Sequence, residues 1–349
     1  MYICTMSDTT NINELGEFGL IQKLTSKFER FNSSTMVGIG DDAAVVNQEE
    51  GVMLVSTDML TEGVHFDMMY APLKHLGYKA ITVNLSDIVA MNGQPKQVLV
   101  SIAVSSRFTV EALEELYEGI RAACNNYKVD LIGGDTTTSL SGLTISVTVL
   151  GVAPAAKVVR RNGAQKGDLL VVTGDLGGAY MGLQVLEREK LVFREAPGAQ
   201  PELDGYDYIL ERQLKPEPRV DIVNQFEEMN LLPTAMIDIS DGLASEILHI
   251  CSESQVGVKL YEDKIPIDQQ TYDTARDFNL DPTLCALSGG EDYELLFTLP
   301  QASYDAIKDL PNFTVIGYMT DKSEGYELIT KDGKQVPLQA QGWDSFTSK

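Results

Sequence analysis

A mixed α/β chain in two halves is what the sequence predicts, on three observations. Apolar runs of strand length alternate with longer segments of helical period on both sides of the middle. The alternation breaks at a basic, glycine-containing connector, Lys157-Val158-Val159-Arg160-Arg161-Asn162-Gly163, and starts afresh at Asp168. Acids beside Gly, Ser or Thr recur near strand ends, where open α/β sheets bind ligands. At 349 residues the chain is long for one core, so two domains are expected, residues 1–155 and 156–349.

In chain order, Phe18, Ile21, Leu24 and Phe28 recur at three- and four-residue spacing and predict an amphipathic helix over 14–31. Gly38-Ile39-Gly40-Asp41-Asp42-Ala43-Ala44 then sets two carboxylates side by side; they repel and cannot both be buried uncompensated. Residues 52–56 read as a strand ending at Thr57-Asp58, and 73–91 as a helix opened by Pro72. On that helix Asp87 follows Leu76, Ala80 and Val83 along one apolar stripe, where a carboxylate needs a partner or a metal. A strand over 98–104, a helix over 109–127 capped by Thr109, a strand over 129–132 ending at Gly133-Gly134-Asp135 and a strand over 143–152 complete the first half.

The second half reads as a strand over 168–173, a helix from the paired glycines Gly177-Gly178 to 189, and a polar loop over 195–204. A helix over 219–229 and a strand over 235–239 follow, the strand leading into Ser240-Asp241. A helix over 242–254 and strands over 293–299, 314–318 and 326–329 close the chain.

Composition narrows the chemistry. The net charge of −24 argues against a nucleic-acid partner, which needs a clustered basic face. No apolar run is long enough for a bilayer and no leader is evident at the amino terminus, so a cytoplasmic, membrane-free protein is expected. Cys4, Cys124, Cys251 and Cys285 are scattered and make no spaced cluster with His65, His75 and His249, which argues against zinc.

The familiar nucleotide and hydrolase motifs fail. There is no P-loop and no Gly-x-Ser-x-Gly elbow. The segment from Gly38 matches a loose dinucleotide fingerprint with Asp58 downstream, but two carboxylates would meet the pyrophosphate and a β-rich run follows in place of a helix. Oxygen ligation is the economical alternative: carboxylates with hydroxyls suit Mg²⁺ shared with substrate phosphates, and phosphoryl transfer chiefly needs alignment and charge neutralisation. At least one of Asp41 and Asp42 is expected to face solvent or a cation.

Taken together, Gly-Ile-Gly-Asp-Asp-Ala-Ala from Gly38, Ser-Thr-Asp-Met-Leu from Ser56, Gly-Val-His-Phe from Gly63, Val-Asn-Leu-Ser-Asp-Ile from Val83, Leu-Ile-Gly-Gly-Asp-Thr-Thr from Leu131, Ile-Asp-Ile-Ser-Asp-Gly-Leu from Ile237 and Leu-Ser-Gly-Gly-Glu-Asp-Tyr-Glu-Leu from Leu287 resemble the thiamine-monophosphate kinase family. This is a relative of aminoimidazole ribonucleotide synthetase and selenophosphate synthetase, and the ordered match spans nearly the whole chain. The resemblance implies an amino-terminal ferredoxin-like domain that binds ATP and Mg²⁺ and dimerises through its sheet, then an α/β domain completing the substrate site. It implies a homodimer that transfers the γ-phosphoryl of ATP in line onto thiamine monophosphate. By resemblance Asp42, Ser56, Thr57, Asp58, Asp87, Asp135, Asp238 and Asp241 hold magnesium, with Asp42, Asp87 and Asp135 central to catalysis. Tyr117, Gly134, Arg161 and Ser240 contact ATP, and His65, Glu291 and Trp343 contact thiamine monophosphate. Another ATP-using enzyme of the superfamily, or an acidic metal- or nucleotide-binding protein without catalysis, stays open on the sequence alone.

Overall fold

The computed structural model describes residues 12–39, 44–47, 51–198 and 200–340. Asp41, Asp42, Cys4 and Trp343 lie outside the described residues. The chain divides into two compact units: residues 1–88 with 93–156, and residues 89–92 with 157–349.

The first unit opens with α1 (Ile12–Thr25), which stops short of the predicted helix; Phe28 lies beyond it, its ring edge-on to Tyr117 at 6.4 Å between centroids. A short hairpin, β1 (Thr35–Val37) and β2 (Val45–Val46), precedes β3 (Val52–Thr61), α2 (Leu73–Ala90), β4 (Gln94–Val104), α3 (Val110–Tyr127), β5 (Asp130–Thr138) and β6 (Leu143–Ala153). The sheet order is β3-β6-β4-β5, with β6 antiparallel to both neighbours and β4 parallel to β5. β3, α2 and β4 therefore make one split β-α-β unit around β6, the element from which ferredoxin-like sheets are built. The second crossover departs from the ferredoxin-like expectation, because α3 links strands that lie side by side.

Helices α2 and α3 touch backbone to backbone at paired glycines. A Cβ on Gly77 would sit 2.0 Å from the Leu116 carbonyl, and one on Gly119 would sit 1.9 Å from that of Lys74. This approach buries more of α2 than a single stripe: Tyr78, Lys79, Thr82, Asn84 and Ser86 are as enclosed as Leu76, Ala80 and Val83.

The second unit contains β7 (Leu169–Thr173), α4 (Gly178–Glu195), α5 (Asp207–Leu214), α6 (Val220–Glu228), β8 (Ala235–Asp238), α7 (Leu243–Ser254), β9 (Gly257–Tyr261), α8 (Gln269–Asp277), α9 (Pro282–Ser288), β10 (Leu295–Leu299), α10 (Tyr304–Ile307), β11 (Phe313–Thr320), β12 (Tyr326–Ile329) and β13 (Gln335–Pro337). Its seven strands run β13-β12-β9-β11-β7-β10-β8, antiparallel throughout except for β12 with β9. Helices α5, α8 and α9 and strand β9 are not foreseen from the sequence; they are short, and α5 lies among charged residues that mask its period. Among the described residues, no helix is long and apolar enough to cross a membrane.

Candidate functional site

Each unit carries its own polar constellation. In the first, strand pairing decides which acids meet. Ser56 and Asp58 lie two apart on β3 and so share a face. They stand opposite Val149 and Val147 of β6, which pair in turn with the buried Val98 and Val100 of β4; this is the apolar face of the sheet. From α2 Asp87 reaches the same face, and Ser56 Oγ donates to Asp87 Oδ2 at 2.5 Å.

The Asp58 and Asp87 side chains lie within hydrogen-bonding reach of each other. Burial, and then the charge of Asp87, raise the Asp58 carboxyl to about 6. Asn84, fully buried one helical turn before Asp87, accepts from the Asp58 N–H at 3.1 Å and donates through Nδ2 to the Ala80 carbonyl at 2.9 Å. Its place in Asn84-Leu85-Ser86-Asp87 was visible in the sequence; its role was not. Two acids beside a hydroxyl form an all-oxygen donor set that fits a hard divalent cation.

Thr57 points the other way. Its hydroxyl binds the Val147 carbonyl at 3.0 Å and Thr148 Oγ1 at 2.9 Å, so this side chain does not join the Ser56–Asp58–Asp87 cluster. Asp58 and Asp135 both lie inside strands, not at strand ends as the sequence suggested. The register places Asp135 in the row Met59–Ser146–Ser101–Asp135, on the face opposite Asp58, and its exposed carboxylate accepts from the Thr136 N–H at 2.8 Å. Among the described residues, no three His, Cys, Asp or Glu gather in a metal-binding group.

The remaining candidates of this unit are dispersed. Gly134 is required by the backbone, since a Cβ would lie 1.8 Å from the Val100 carbonyl. Tyr117 is buried against Phe28 and borders a cleft of about 240 Å³ that Lys23, Lys27 and Arg121 also line; burial pushes its phenol up to about 12. His65 is exposed and bound within its own turn, its Nδ1 accepting from the Thr61 N–H at 3.0 Å. The neighbouring acids are occupied elsewhere, Glu62 by Arg107 and the Leu143 N–H, Asp67 by the Met69 N–H.

In the second unit β8 ends in buried Asp238 and the chain turns through Ser240, Asp241 and Gly242 into α7. Glu246, on the first turn of α7, accepts from the Asp241 N–H at 2.9 Å, and burial raises its carboxyl to about 7. The sequence reading did not single it out. Burial likewise raises Asp241. Arg161 is exposed, and its carbonyl accepts from Ser254.

The stretch Gly289–Glu294 is stitched to that turn. Glu291 N–H donates to the Ser240 carbonyl at 2.7 Å and Tyr293 N–H to that of Ile239 at 2.9 Å. Gly290 permits the approach, since its Cβ would lie 2.4 Å from the Ser240 oxygen. The three acids here divide their work. Asp292 accepts from Gly177 N–H at 2.8 Å and Ala179 N–H at 3.4 Å, so it fills the α4 N-terminus that the paired glycines open. Burial outweighs Arg212 and those N–H groups and raises the Asp292 carboxyl to about 7. Glu294 takes Arg212 Nη1 at 2.9 Å, Thr173 Oγ1 at 2.6 Å and Arg219. Burial lowers the Arg212 pKa, but Glu294 and Asp292 more than reverse this and the net shift is upward. Glu291 stays partly exposed and receives Gln213 Nε2 at 2.8 Å.

Comparison with known proteins agrees over nearly the full length. Residues 40–153 match the model for AIR synthase related protein, N-terminal domain, and residues 165–329 that for the C-terminal domain. The chain is 35% identical over 341 residues to the thiamine-monophosphate kinase of Bacillus subtilis, covering 95% of this chain and 100% of that one. It is also 35% identical over 347 residues to that of Escherichia coli K12, covering 95% and 99%. Among solved structures, a thiamine-monophosphate kinase from Stenotrophomonas maltophilia superposes with a TM-score of 0.76 at 31% identity, covering 90% of this chain and 95% of that one. AaThiL complexed with AMPPCP and TMP superposes with a TM-score of 0.73 at 33% identity, covering 97% and 100%. The hydrogenase maturation protein HypE, at 18% identity and a TM-score of 0.72 over 92% of this chain and 94% of that one, shares the fold.

Proposed function

This chain belongs to the thiamine-monophosphate kinase family of AIR synthase-related proteins, and from that premise we propose that it phosphorylates thiamine monophosphate to thiamine diphosphate with ATP as donor. The single observation that carries the reading is the full-length match to kinases of this name, one of them solved with AMPPCP and TMP.

Transfer is direct and in line, from the γ-phosphoryl of ATP to the acceptor phosphate. Bound magnesium supplies neutralisation of the charge on the moving group. Ser56, Asp58 and Asp87 would hold it in the first unit, and the gathering of their oxygens on one face of the sheet supports this. Asp42, Thr57, Asp135, Asp238 and Asp241 are assigned to further magnesium. Tyr117, Gly134, Arg161 and Ser240 orient ATP, while His65, Glu291 and Trp343 hold the acceptor. The residues up to 155 form the ATP, metal and dimerisation domain, those from 156 the domain completing the substrate site, and the enzyme works in the cytoplasm. The homodimer forms along β3, an edge strand on which Met53, Val55 and Met59 are 45, 61 and 57% exposed.

The deciding experiment is incubation with Mg-ATP and thiamine monophosphate, following thiamine diphosphate, with free thiamine and an aminoimidazole precursor as controls. Product from thiamine monophosphate alone supports the assignment. No product from it, or product from a control, rejects it.

A further inference from the structure

We infer that Gln213, on the last turn of α5, is a positioning residue that aims the Glu291 carboxylate at the acceptor. The inference rests on the assignment of Glu291 to thiamine monophosphate made above, and it adds a residue to which no contact has been assigned.

The main chain around Glu291 is fixed, but its side chain is not fixed by the same bonds. Glu291 and Tyr293 stand at φ 66° and 53°, in the left-handed region that side chains rarely occupy. Their N–H bonds to Ser240 and Ile239 hold the backbone in that conformation. A glutamate has three side-chain torsions beyond that anchor, and each free rotor left to be ordered by substrate weakens binding. Gln213 removes that freedom: it is 4% exposed and its Nε2 lies 2.8 Å from Glu291 Oε2.

The neighbouring acids have other partners. Arg212 and Arg219 both bind Glu294, and Arg212 also donates to the Asp292 and Asp175 carbonyls at 3.1 Å. Glu291 receives the Gln213 amide, whose N–H orients the carboxylate. A carboxylate held in a fixed direction is what a cationic thiazolium or the amino group of an aminopyrimidine would recognise.

The test compares Gln213→Met, Gln213→Asn, Glu291→Gln and the Gln213→Met/Glu291→Gln double variant in the full-length enzyme. Gln213→Met keeps the side-chain volume and removes the amide. It is expected to raise KM for thiamine monophosphate by about tenfold, the scale of one lost hydrogen bond to a charged group, with KM for ATP within about twofold. Gln213→Asn, with its amide one methylene short, should fall between Gln213→Met and wild type, and it decides the question if Gln213→Met does not fold. In the Glu291→Gln background Gln213→Met should add less than about twofold, because the two residues act as one unit. Equal changes in both KM values, or full additivity in the double variant, would overturn the inference and leave the assignment of Glu291 standing. An unchanged KM for thiamine monophosphate in Glu291→Gln itself would overturn that assignment and the inference with it.

Discussion

The Glu291 N–H lies 2.7 Å from the Ser240 carbonyl oxygen, which makes the loop assigned to the acceptor and the turn assigned to nucleotide and metal a single backbone-bonded piece. Neither can shift without the other, and the absence of a side chain at Gly290 is what lets them meet.

Gly290→Ala should therefore damage both functions at once. Its Cβ would fall 2.4 Å from the Ser240 oxygen, so the two strands of chain must part. We expect a stability loss of about 2 kcal/mol, as for other overpacked sites, together with a raised KM for both substrates. Thermal unfolding and steady-state kinetics check this; a change in KM for only one substrate would contradict the coupling.

Asp87→Asn removes the carboxylate whose charge raises Asp58 and which accepts from Ser56. Turnover should fall by at least about a hundredfold with the fold intact, the scale of losing one electrostatic stabiliser, and the Mg²⁺ concentration for half-maximal activity should rise. Circular dichroism alongside a magnesium titration of the rate tests it. Activity within a few-fold of wild type would remove Asp87 from the metal set.

Arg212→Met leaves the buried Glu294 with one guanidinium fewer and strips donors from the Asp175 and Asp292 carbonyls. Breaking a buried pair from one side costs about 3 kcal/mol or more. Denaturant unfolding should show that loss, and the further replacement Glu294→Gln should recover part of it by removing the uncompensated charge.

Asp292 gives a pH dependence with a definite sign. Its carboxyl is raised from 3.8 to about 7 in the folded chain, so as pH rises the unfolded chain ionises first and stability falls. The loss runs from near the unfolded pKa to the folded one and levels off above. Asp292→Asn lacks this titration, so its stability relative to wild type should improve between those two pH values and stay constant beyond. A difference that instead moved against the variant as pH rises would mean that the helix N-terminus, not burial, governs this carboxylate.

Much of this molecule was legible in one dimension. The run 326–329 is a strand with the predicted ends, α3 begins at its Thr109 cap, and the family motifs stand in order along the chain. Local signals of this kind survive because period, capping and motif order are properties of neighbouring residues. α5 was not legible, for its eight residues carry charge on most sides and its partners, Asp175, Glu291, Asp292 and Glu294, are distant in sequence.

The sequence by itself determined the mixed α/β character, the oxygen-rich acidic motifs and the family. Only the tertiary structure decided which of those acids meet. Asp58 and Asp135 look alike in the sequence, each following small or hydroxylated residues, yet strand register sends one to the face beside Asp87 and the other to the opposite face. Likewise Glu291, Asp292 and Glu294 are near-equivalent letters in one motif. Long-range pairing alone gives one to an amide, one to a helix end and one to two arginines, because hydrogen bonds and charges are satisfied by whatever the fold brings within reach.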